Sequence, residues 1–384
     1  MKIGILTQPL HSNYGGLLQN YALQQVLLRA GHEVETIDQD KPRYPSWKEW
    51  GYKRKMELLH LFNPTRYAKP RYNLTPEEKA VISKNTDHFI NAYIRHTQPA
   101  RSTEEFAKIA ADQRYDAFVV GSDQCWRPIY NPFLKDMFLG FAERRNGIRR
   151  IAYAASFGTD EWEMTDEQTM VCSRLAQRFD LVTVREKSGV DLCREYLGVQ
   201  ATHVLDPTML LDKEEYVSIV LQENEPQSQG SLFHYILDPN PEKLVIVEKL
   251  AAQTGLRPFT VMPKYQAENR TEHDVKHHID DCVFPSVTSW LRGFIDAEMV
   301  VVDSFHGAVF SIIFNKPFWV IGNIERGMSR FTSLLHLFNL ESRLISLCDF
   351  TRIEVNQPID WKAVNEKRSE LRRFSTNLLL QALR

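Results

Sequence analysis

Short apolar runs alternate with amphipathic segments along much of the chain. Residues 2–7 form one apolar run, residues 17–29 have the apolar spacing of a helix that ends at Gly31, and residues 34–37 form the next run. This order predicts a strand–helix–strand unit. Alternation of this kind predicts a parallel sheet covered by helices on both faces. Further strands are predicted at residues 117–120, 151–154, 181–184 and 202–205.

A second cycle of the same pattern follows a polar segment at residues 222–231, which has turn and linker chemistry and no apolar period. The pattern therefore predicts an α/β protein with two doubly wound, Rossmann-like domains facing a cleft, residues 1–222 and 223–360. This arrangement resembles the GT-B architecture of sugar-modifying transferases, in which a last helix such as residues 361–384 often packs back on the first domain. The second cycle consists of strands at 232–237, 258–262 and 299–302 and helices at 241–253 and 287–297.

Composition limits the function classes. A chain of 384 residues favours two domains, and a net charge of -2 does not suggest nucleic acid as a partner. The amino-terminal apolar run is too short for a signal peptide, and no stretch of about 18 apolar residues occurs, so we expect a cytoplasmic protein. Five widely spread cysteines without metal or redox spacing predict reduced thiols: Cys125, Cys172, Cys193, Cys282 and Cys348.

Residues 41–73 differ from the rest because basic and aromatic side chains are interleaved there, among them Arg43, Trp47 and Trp50. Such a segment can lie at an anionic membrane surface or hold a sugar diphosphate. A solvated excursion whose aromatic side chains pack on the first domain explains the pattern equally well.

The segment DSFHGAVFSIIFNKPFWVIGN, residues 303–323, carries the strongest functional signal. His306 falls where the chain leaves a predicted strand and enters a helix, at the carboxyl edge of a sheet, where ligands bind in open α/β folds. The first N–H groups of such a helix lack intrahelical partners and favour an anion. The alternative is a histidine satisfied by loop carbonyls near Asp303.

Other segments accompany the histidine–glycine pair in a characteristic order: LLQNYALQQVLLRAGHEV, FVVGSDQCW, IAYAASFG, LVTVREKSGVDLCREYLG, VLDPTMLL and SRFTSLLHLFNL. Over roughly residues 2–345 this order and spacing resemble the polysaccharide pyruvyl transferase family. The resemblance implies phosphoenolpyruvate as donor, a cyclic pyruvate ketal across two sugar hydroxyls as product, and no metal or organic cofactor. Many relatives carry an arginine where this chain has Ser304, so a role for that arginine cannot be carried over.

Pyruvyl transfer needs cations for phosphate and carboxylate, together with an acid and a base. We predict His306 and Asp123 as catalytic residues. Arg185 can bind a donor anion through two parallel N–H bonds, and its alternative is a surface ion pair with Glu186 or Asp191. The predicted donor-binding residues are Arg185, Arg330, Ser304, Gly307 and Arg326.

On the acceptor side, the turn at Asn13, Gly15 and Gly16 precedes a helix and lacks the G-x-G-x-x-G spacing of a dinucleotide site. Gln124 and Ser156 complete the predicted acceptor-binding set. Ser156 lies in AASFG, a loose relative of a nucleophile elbow, so a serine hydrolase is a rival hypothesis. Helix capping by Asp123 or Ser122 is the alternative to a role of Asp123 in the site, and Asp206 is expected to fix the turn before Pro207.

The sequence thus predicts a pyruvyl transferase acting on a sugar of a cell-surface polysaccharide precursor, such as a capsule or exopolysaccharide unit. We expect the acceptor to be lipid-linked and met at the cytoplasmic face of the membrane. A GT-B glycosyltransferase with a nucleotide-sugar donor is one alternative. A non-catalytic sugar-binding descendant is the other, and Ser304 makes it conceivable.

Overall fold

The computed structural model describes residues 1–40, 42, 51, 54–56, 59, 62, 72–266, 270–322, 328–346, 354–355 and 357–384. The basic and aromatic segment at 41–73 therefore lies mostly outside the described residues. Cys348 lies outside them as well, and the other four cysteines are buried free thiols.

The N-terminal half contains a sheet of six parallel strands in the order β2-β1-β3-β4-β5-β6. Strand β4 carries a register shift between Ala152 and Ala155, next to the turn that follows β3. The strands are β1 (Lys2–Leu6), β2 (Glu33–Thr36), β3 (Ala117–Val120), β4 (Arg149–Ala155), β5 (Leu181–Val184) and β6 (Thr202–His203).

The C-terminal half contains a sheet of five parallel strands in the order β11-β10-β9-β7-β8. Strand β9 lies at its centre and is fully buried, as its unbroken apolar sequence requires. The two predicted parallel sheets are thus confirmed. The strands are β7 (Leu232–Tyr235), β8 (Pro258–Phe259), β9 (Met299–Val302), β10 (Phe318–Ile321) and β11 (Leu344–Ile345).

α-Helices of the described chain connect and cover these strands. The amphipathic patterns placed most of the predicted helices within a few residues of their observed bounds. The helices are α1 (Tyr14–Arg29), α2 (Pro76–Tyr93), α3 (Thr103–Gln113), α4 (Asp166–Ala176), α5 (Lys187–Leu192), α6 (Lys213–Gln222), α7 (Pro241–Thr254), α8 (Glu272–His277), α9 (Val287–Asp296), α10 (Phe305–Ile313), α11 (Ser329–Leu337) and α12 (Trp361–Ala382).

Two of these helices, α1 and α10, begin at the carboxyl edges of the two sheets, at the ends of strands β1 and β9. Helix α1 follows β1, and the Asn13 side chain caps it by accepting from the Gly16 N–H at 3.1 Å. Helix α10 follows β9, and the Ser304 hydroxyl accepts from the Gly307 N–H at 3.1 Å. Each cap satisfies one of the N–H groups that a helix start leaves without an intrahelical partner.

The two halves share an apolar core as well as having cores of their own. The largest cluster joins α1 and the β4 residue Tyr153 of the N-terminal half to α9 and α10 of the C-terminal half. At the seam, the Tyr14 ring stacks on Trp290 with centroids 5.8 Å apart. The Tyr14 hydroxyl also donates to the Pro285 carbonyl at 2.9 Å. The two halves are therefore packed against each other, and side chains such as Tyr14 and Trp290 are buried by residues of both halves.

Helix α12 makes its polar contacts with the N-terminal half. The Ser375 hydroxyl accepts from the Leu205 N–H at 3.1 Å, and the Arg368 guanidinium donates to the Leu211 carbonyl at 2.8 Å. Leu379 is fully buried in the shared cluster. No described helix has the length and apolar character needed to cross a bilayer.

Candidate functional site

A narrow cleft of about 70 Å³ lies between the two halves, where the carboxyl edges of the sheets meet. The N-terminal half contributes Asn13, Gly15, Asp123, Gln124 and Tyr130. The C-terminal half contributes Tyr235, Leu237, Asp303, Ser304, Phe305, His306, Arg330 and Phe331.

His306 lies in the first turn of α10 and projects toward the N-terminal half. Its ring packs so closely on Gly15 that a Cβ added to Gly15 would lie 2.2 Å from His306 Nδ1. On the other side, Nε2 lies 3.6 Å from Asp206 Oδ2 and has no hydrogen-bond partner among the described residues. The alternative in which loop carbonyls near Asp303 satisfy this nitrogen is therefore wrong. Asp303 instead accepts from the Leu237 N–H at 2.7 Å and from Lys243 Nζ at 2.7 Å.

Arg185 lies at the end of β5 beneath the cleft. Its Nη1 donates to Asp206 Oδ2 at 3.0 Å and its Nη2 donates to Asp123 Oδ1 at 3.1 Å. Its guanidinium carbon lies 4.2 Å from the centroid of the Phe305 ring, which belongs to the other half. The side chain is only 1% exposed and is not part of the cleft wall. The alternative of a surface ion pair with Glu186 or Asp191 is thus wrong, while donor binding by Arg185 stays a prediction.

Burial and the neighbouring cations shift the pKa of each aspartate, Asp123 and Asp206, in opposite directions. Burial alone would raise the pKa of Asp123, but Arg185, His306 and Arg330 outweigh it and hold the pKa below its usual range. Burial would also raise the pKa of Asp206, yet the His306 ring and Arg185 lower it well below its usual range. Both side chains are therefore carboxylates at neutral pH.

Arg330, the second residue of α11, adds a further cation to the cleft wall. Burial, reinforced by the charge of Arg185, lowers its pKa to about 10, so the guanidinium remains charged at neutral pH. Glu186 is fully buried near this cation, and burial raises its pKa despite the charge of Arg185. Its Oε1 accepts from the Ser156 hydroxyl at 3.0 Å and from the Phe157 N–H at 2.7 Å.

The other predicted residues fall into three groups. Asn13, Gln124 and Ser304 line the cleft, whereas the N–H groups of Gly16 and Gly307 are taken by the two helix caps. Ser156 is fully buried and hydrogen-bonded to Glu186, and α4 begins ten residues later, at Asp166, so the geometry of a nucleophile elbow is not formed. Arg326 lies outside the described residues.

Sequence reasoning missed the second role of Asp206 and the steric role of Gly15. Asp206 Oδ1 fixes its turn by accepting from the Thr208 N–H at 3.0 Å, as expected, but Oδ2 binds Arg185 and approaches His306. The position of Asp206 just after β6 was the available signal, because carboxyl ends of parallel strands meet at one edge. Asp123 adopts the left-handed conformation with φ 71° and does not cap a helix, so capping was the wrong alternative.

The described residues contain no group of three or more histidine, cysteine or acidic side chains arranged to hold a metal ion. The cleft wall combines His306, Arg330 and Asp123, while the buried Arg185 binds Asp123 and the buried Asp206 approaches His306. Such a set can bind an anion, orient a hydroxyl and transfer a proton.

A sequence model of one family, described as polysaccharide pyruvyl transferase, matches residues 13–325. The chain belongs to the polysaccharide pyruvyl transferase family. The matched range contains every predicted site residue except Arg326 and Arg330, which lie just beyond its end. No curated protein matches this family member significantly in sequence.

Solved structures show that the fold is GT-B-like. UDP-GlcNAc 2-epimerase from Neisseria meningitidis, bound to UDP-GlcNAc, aligns with a TM-score of 0.51 at 9% identity, covering 100% of this chain and 99% of that one. The Methanocaldococcus jannaschii enzyme of the same name, in complex with UDP-GlcNAc and UDP, gives 0.51 at 12% identity, covering 98% and 100%. At such low identity the similarity concerns the fold alone.

Gly15→Ala should displace the His306 ring, because the new Cβ would lie 2.2 Å from Nδ1. We expect a clear shift of the His306 imidazole resonances by NMR, assigned by their loss in His306→Gln. Gly16→Ala is the matched control, since its Cβ would meet only the Asn13 side chain at 3.2 Å. Unchanged His306 resonances in Gly15→Ala would contradict the described packing.

Arg185→Met should lower the free energy of unfolding at pH 7 by about 3–5 kcal/mol, because it leaves two buried carboxylates without their cation. In the wild type, the lowered pKa values of Asp123 and Asp206 stabilise the fold above the unfolded value of about 3.9. That stabilisation is lost as the pH falls through the folded pKa values. The difference between wild type and variant should therefore narrow as the pH falls below about 4.

Denaturant titrations at several pH values measure this difference. Arg149→Met is the control, because Arg149 forms an exposed ion pair with Asp180 at 3.5 Å. It should cost less than about 1 kcal/mol at any pH. A difference for Arg185→Met that stays constant or widens on acidification would argue against the buried carboxylate network.

Proposed function

We propose that this family member transfers the enolpyruvyl group of phosphoenolpyruvate to a sugar of a cell-surface polysaccharide precursor and closes it to a cyclic pyruvate ketal. Membership of the family supports this donor and this class of acceptor. The observation that carries the proposal is one cluster at the cleft, in which Asp206 approaches His306 at 3.6 Å and the buried Arg185 joins Asp206 to Asp123.

The reaction requires two additions at the central carbon of the donor. One sugar hydroxyl attacks that carbon and loses its proton, while the adjacent methylene carbon of the donor takes a proton and becomes a methyl group. The bond from the central carbon to the phosphate oxygen then breaks, and phosphate leaves. The second hydroxyl attacks the same carbon and loses its proton, so the products are the ketal and inorganic phosphate.

On the donor side, Arg330 and the first turn of α10 provide the positive charge for phosphate and carboxylate. The N–H groups of Phe305 and His306 precede the capped Gly307 N–H, and a helix start leaves such groups available to an anion. Both Nη groups of Arg185 hold carboxylates and the side chain is only 1% exposed, so Arg185 reaches the donor only if the cleft opens. Ser304 acts through its cap of this helix.

His306 is the proton donor in this proposal. Nε2 is the ring nitrogen near Asp206, and this carboxylate orients the imidazole. Asp123, kept ionised by Arg185, orients a sugar hydroxyl or takes its proton. Asn13 and Gln124 are placed to bind other acceptor hydroxyls.

The cleft of about 70 Å³ is far smaller than the roughly 300–1,000 Å³ typical of ligand pockets. We therefore propose that the two halves separate to admit the substrates. In this proposal the N-terminal half, residues 1–222, binds the acceptor, and residues 223–360 bind the donor. A lipid-linked acceptor would be met at the cytoplasmic membrane surface.

The alternative function, a glycosyltransferase with a nucleotide-sugar donor, is supported only by the GT-B-like fold. A ligand that binds the folded state alone raises the melting temperature. Stabilisation by phosphoenolpyruvate supports the proposal, whereas stabilisation by a nucleotide sugar supports the alternative. Acceptor-dependent phosphate release excludes a non-catalytic binding protein.

His306→Gln should reduce acceptor-dependent release of phosphate from phosphoenolpyruvate by at least about 100-fold, because the variant lacks the acid. Mass spectrometry of candidate lipid-linked glycans should show the added pyruvate with wild type only. His336→Gln is the matched control, since the His336 side chain is 72% exposed and lies outside the cleft.

Both variants should keep melting temperatures close to that of the wild type. Turnover by His306→Gln at the wild-type rate would remove His306 from the mechanism. The absence of phosphate release by the wild type with every glycan tested would count against the proposed function itself.

A further inference from the structure

The mouth of the cleft has a different character from its floor. His306, Arg330 and Asp123 are each less than one-tenth exposed, whereas Tyr130 on the cleft wall is 43% exposed. Its neighbour Ile129 is 64% exposed. The chemical groups are thus buried, whereas the cleft wall carries one exposed aromatic ring, that of Tyr130.

The turn that carries these two side chains is held firmly in place. Arg127 is buried and forms a two-pronged pair with Glu163, in which Nε and Nη2 each donate over 2.8 Å. Asn131 is also buried, and its amide donates to the carbonyls of Gln124 and Arg127 at 2.8 and 2.9 Å. The Tyr130 N–H closes the turn on the Arg127 carbonyl at 3.2 Å.

The same arginine fixes the aromatic ring. The Arg127 guanidinium carbon lies 5.2 Å from the Tyr130 ring centroid, within the range of a cation–π contact. Buried polar groups therefore hold an exposed tyrosine in one place. Because Tyr130 also lines the cleft, its ring is available to a ligand that enters there.

We propose that Tyr130 is the platform on which a hexopyranose ring of the acceptor stacks. The C–H groups on one face of a pyranose are weakly positive and suit the negative face of an aromatic ring. Stacking on Tyr130 leaves the sugar hydroxyls to Gln124, Asn13 and Asp123, which line the same cleft. This inference rests on the proposed function and adds a residue that binds the acceptor.

Steady-state kinetics separate a platform from a structural role. Tyr130→Ala should raise the KM for the acceptor glycan about 3- to 10-fold, as expected for one aromatic stacking contact, while the KM for phosphoenolpyruvate stays within about twofold. Tyr130→Phe keeps the ring and should retain the wild-type KM. Phe374→Ala removes an exposed aromatic ring of α12 that lies outside the cleft and should change neither constant.

Saturation-transfer NMR tests the platform without turnover. The probes are methyl β-glycosides of glucose, galactose and mannose at millimolar concentration. Wild type and Tyr130→Phe should transfer magnetisation to the ring protons of at least one glycoside, and Tyr130→Ala should lose most of that transfer.

These outcomes distinguish the two claims. Failure of phosphate release together with sugar transfer that needs Tyr130 would reject the proposed function and keep the platform. An acceptor KM or a sugar signal unchanged in Tyr130→Ala, an increase in the KM for phosphoenolpyruvate alone, or no sugar signal from the wild type would overturn the platform.

Discussion

The site depends on one buried guanidinium. Arg185 holds Asp123 and Asp206 from below and stacks on Phe305 of the other half, so a single side chain links the two sheets. Burying an isolated charge is costly, and a buried ion pair is tolerated only when its partners are well placed. The pKa values of both carboxylates therefore depend on Arg185 and also on His306, which the packing of the two halves brings close to them.

The fit of His306 against Gly15 extends this constraint across the cleft. The imidazole occupies the space that any larger residue would need at position 15, while Asp206 lies beside Nε2. Helices α1 and α10 start at facing sheet edges, each capped by a side chain that precedes it. Because these contacts leave a cleft of only about 70 Å³, the proposed function requires the halves to separate before both substrates can enter.

Much of this arrangement could be predicted from the chain because it follows local patterns. Apolar runs such as residues 117–120, 181–184 and 299–302 became strands with the same bounds. His306 and Asp123 could be placed at sheet edges since parallel strands end on one side. The partners of Arg185 could not be predicted, because Asp123 and Asp206 are 62 and 21 residues away and pair only in the folded sheet. Glycine is required at position 15 because His306 of the other half fills the space that a Cβ would need. No local sequence pattern predicts this requirement.

The most direct test of the account is a crystal structure of His306→Gln soaked with phosphoenolpyruvate, since slow turnover should let the donor persist. We predict the donor between the halves, with its phosphate or carboxylate within hydrogen-bond distance of Arg330 and the first turn of α10, and its methylene carbon facing position 306. Donor bound outside this cleft, or no donor at concentrations that saturate the wild type, would contradict the central claim.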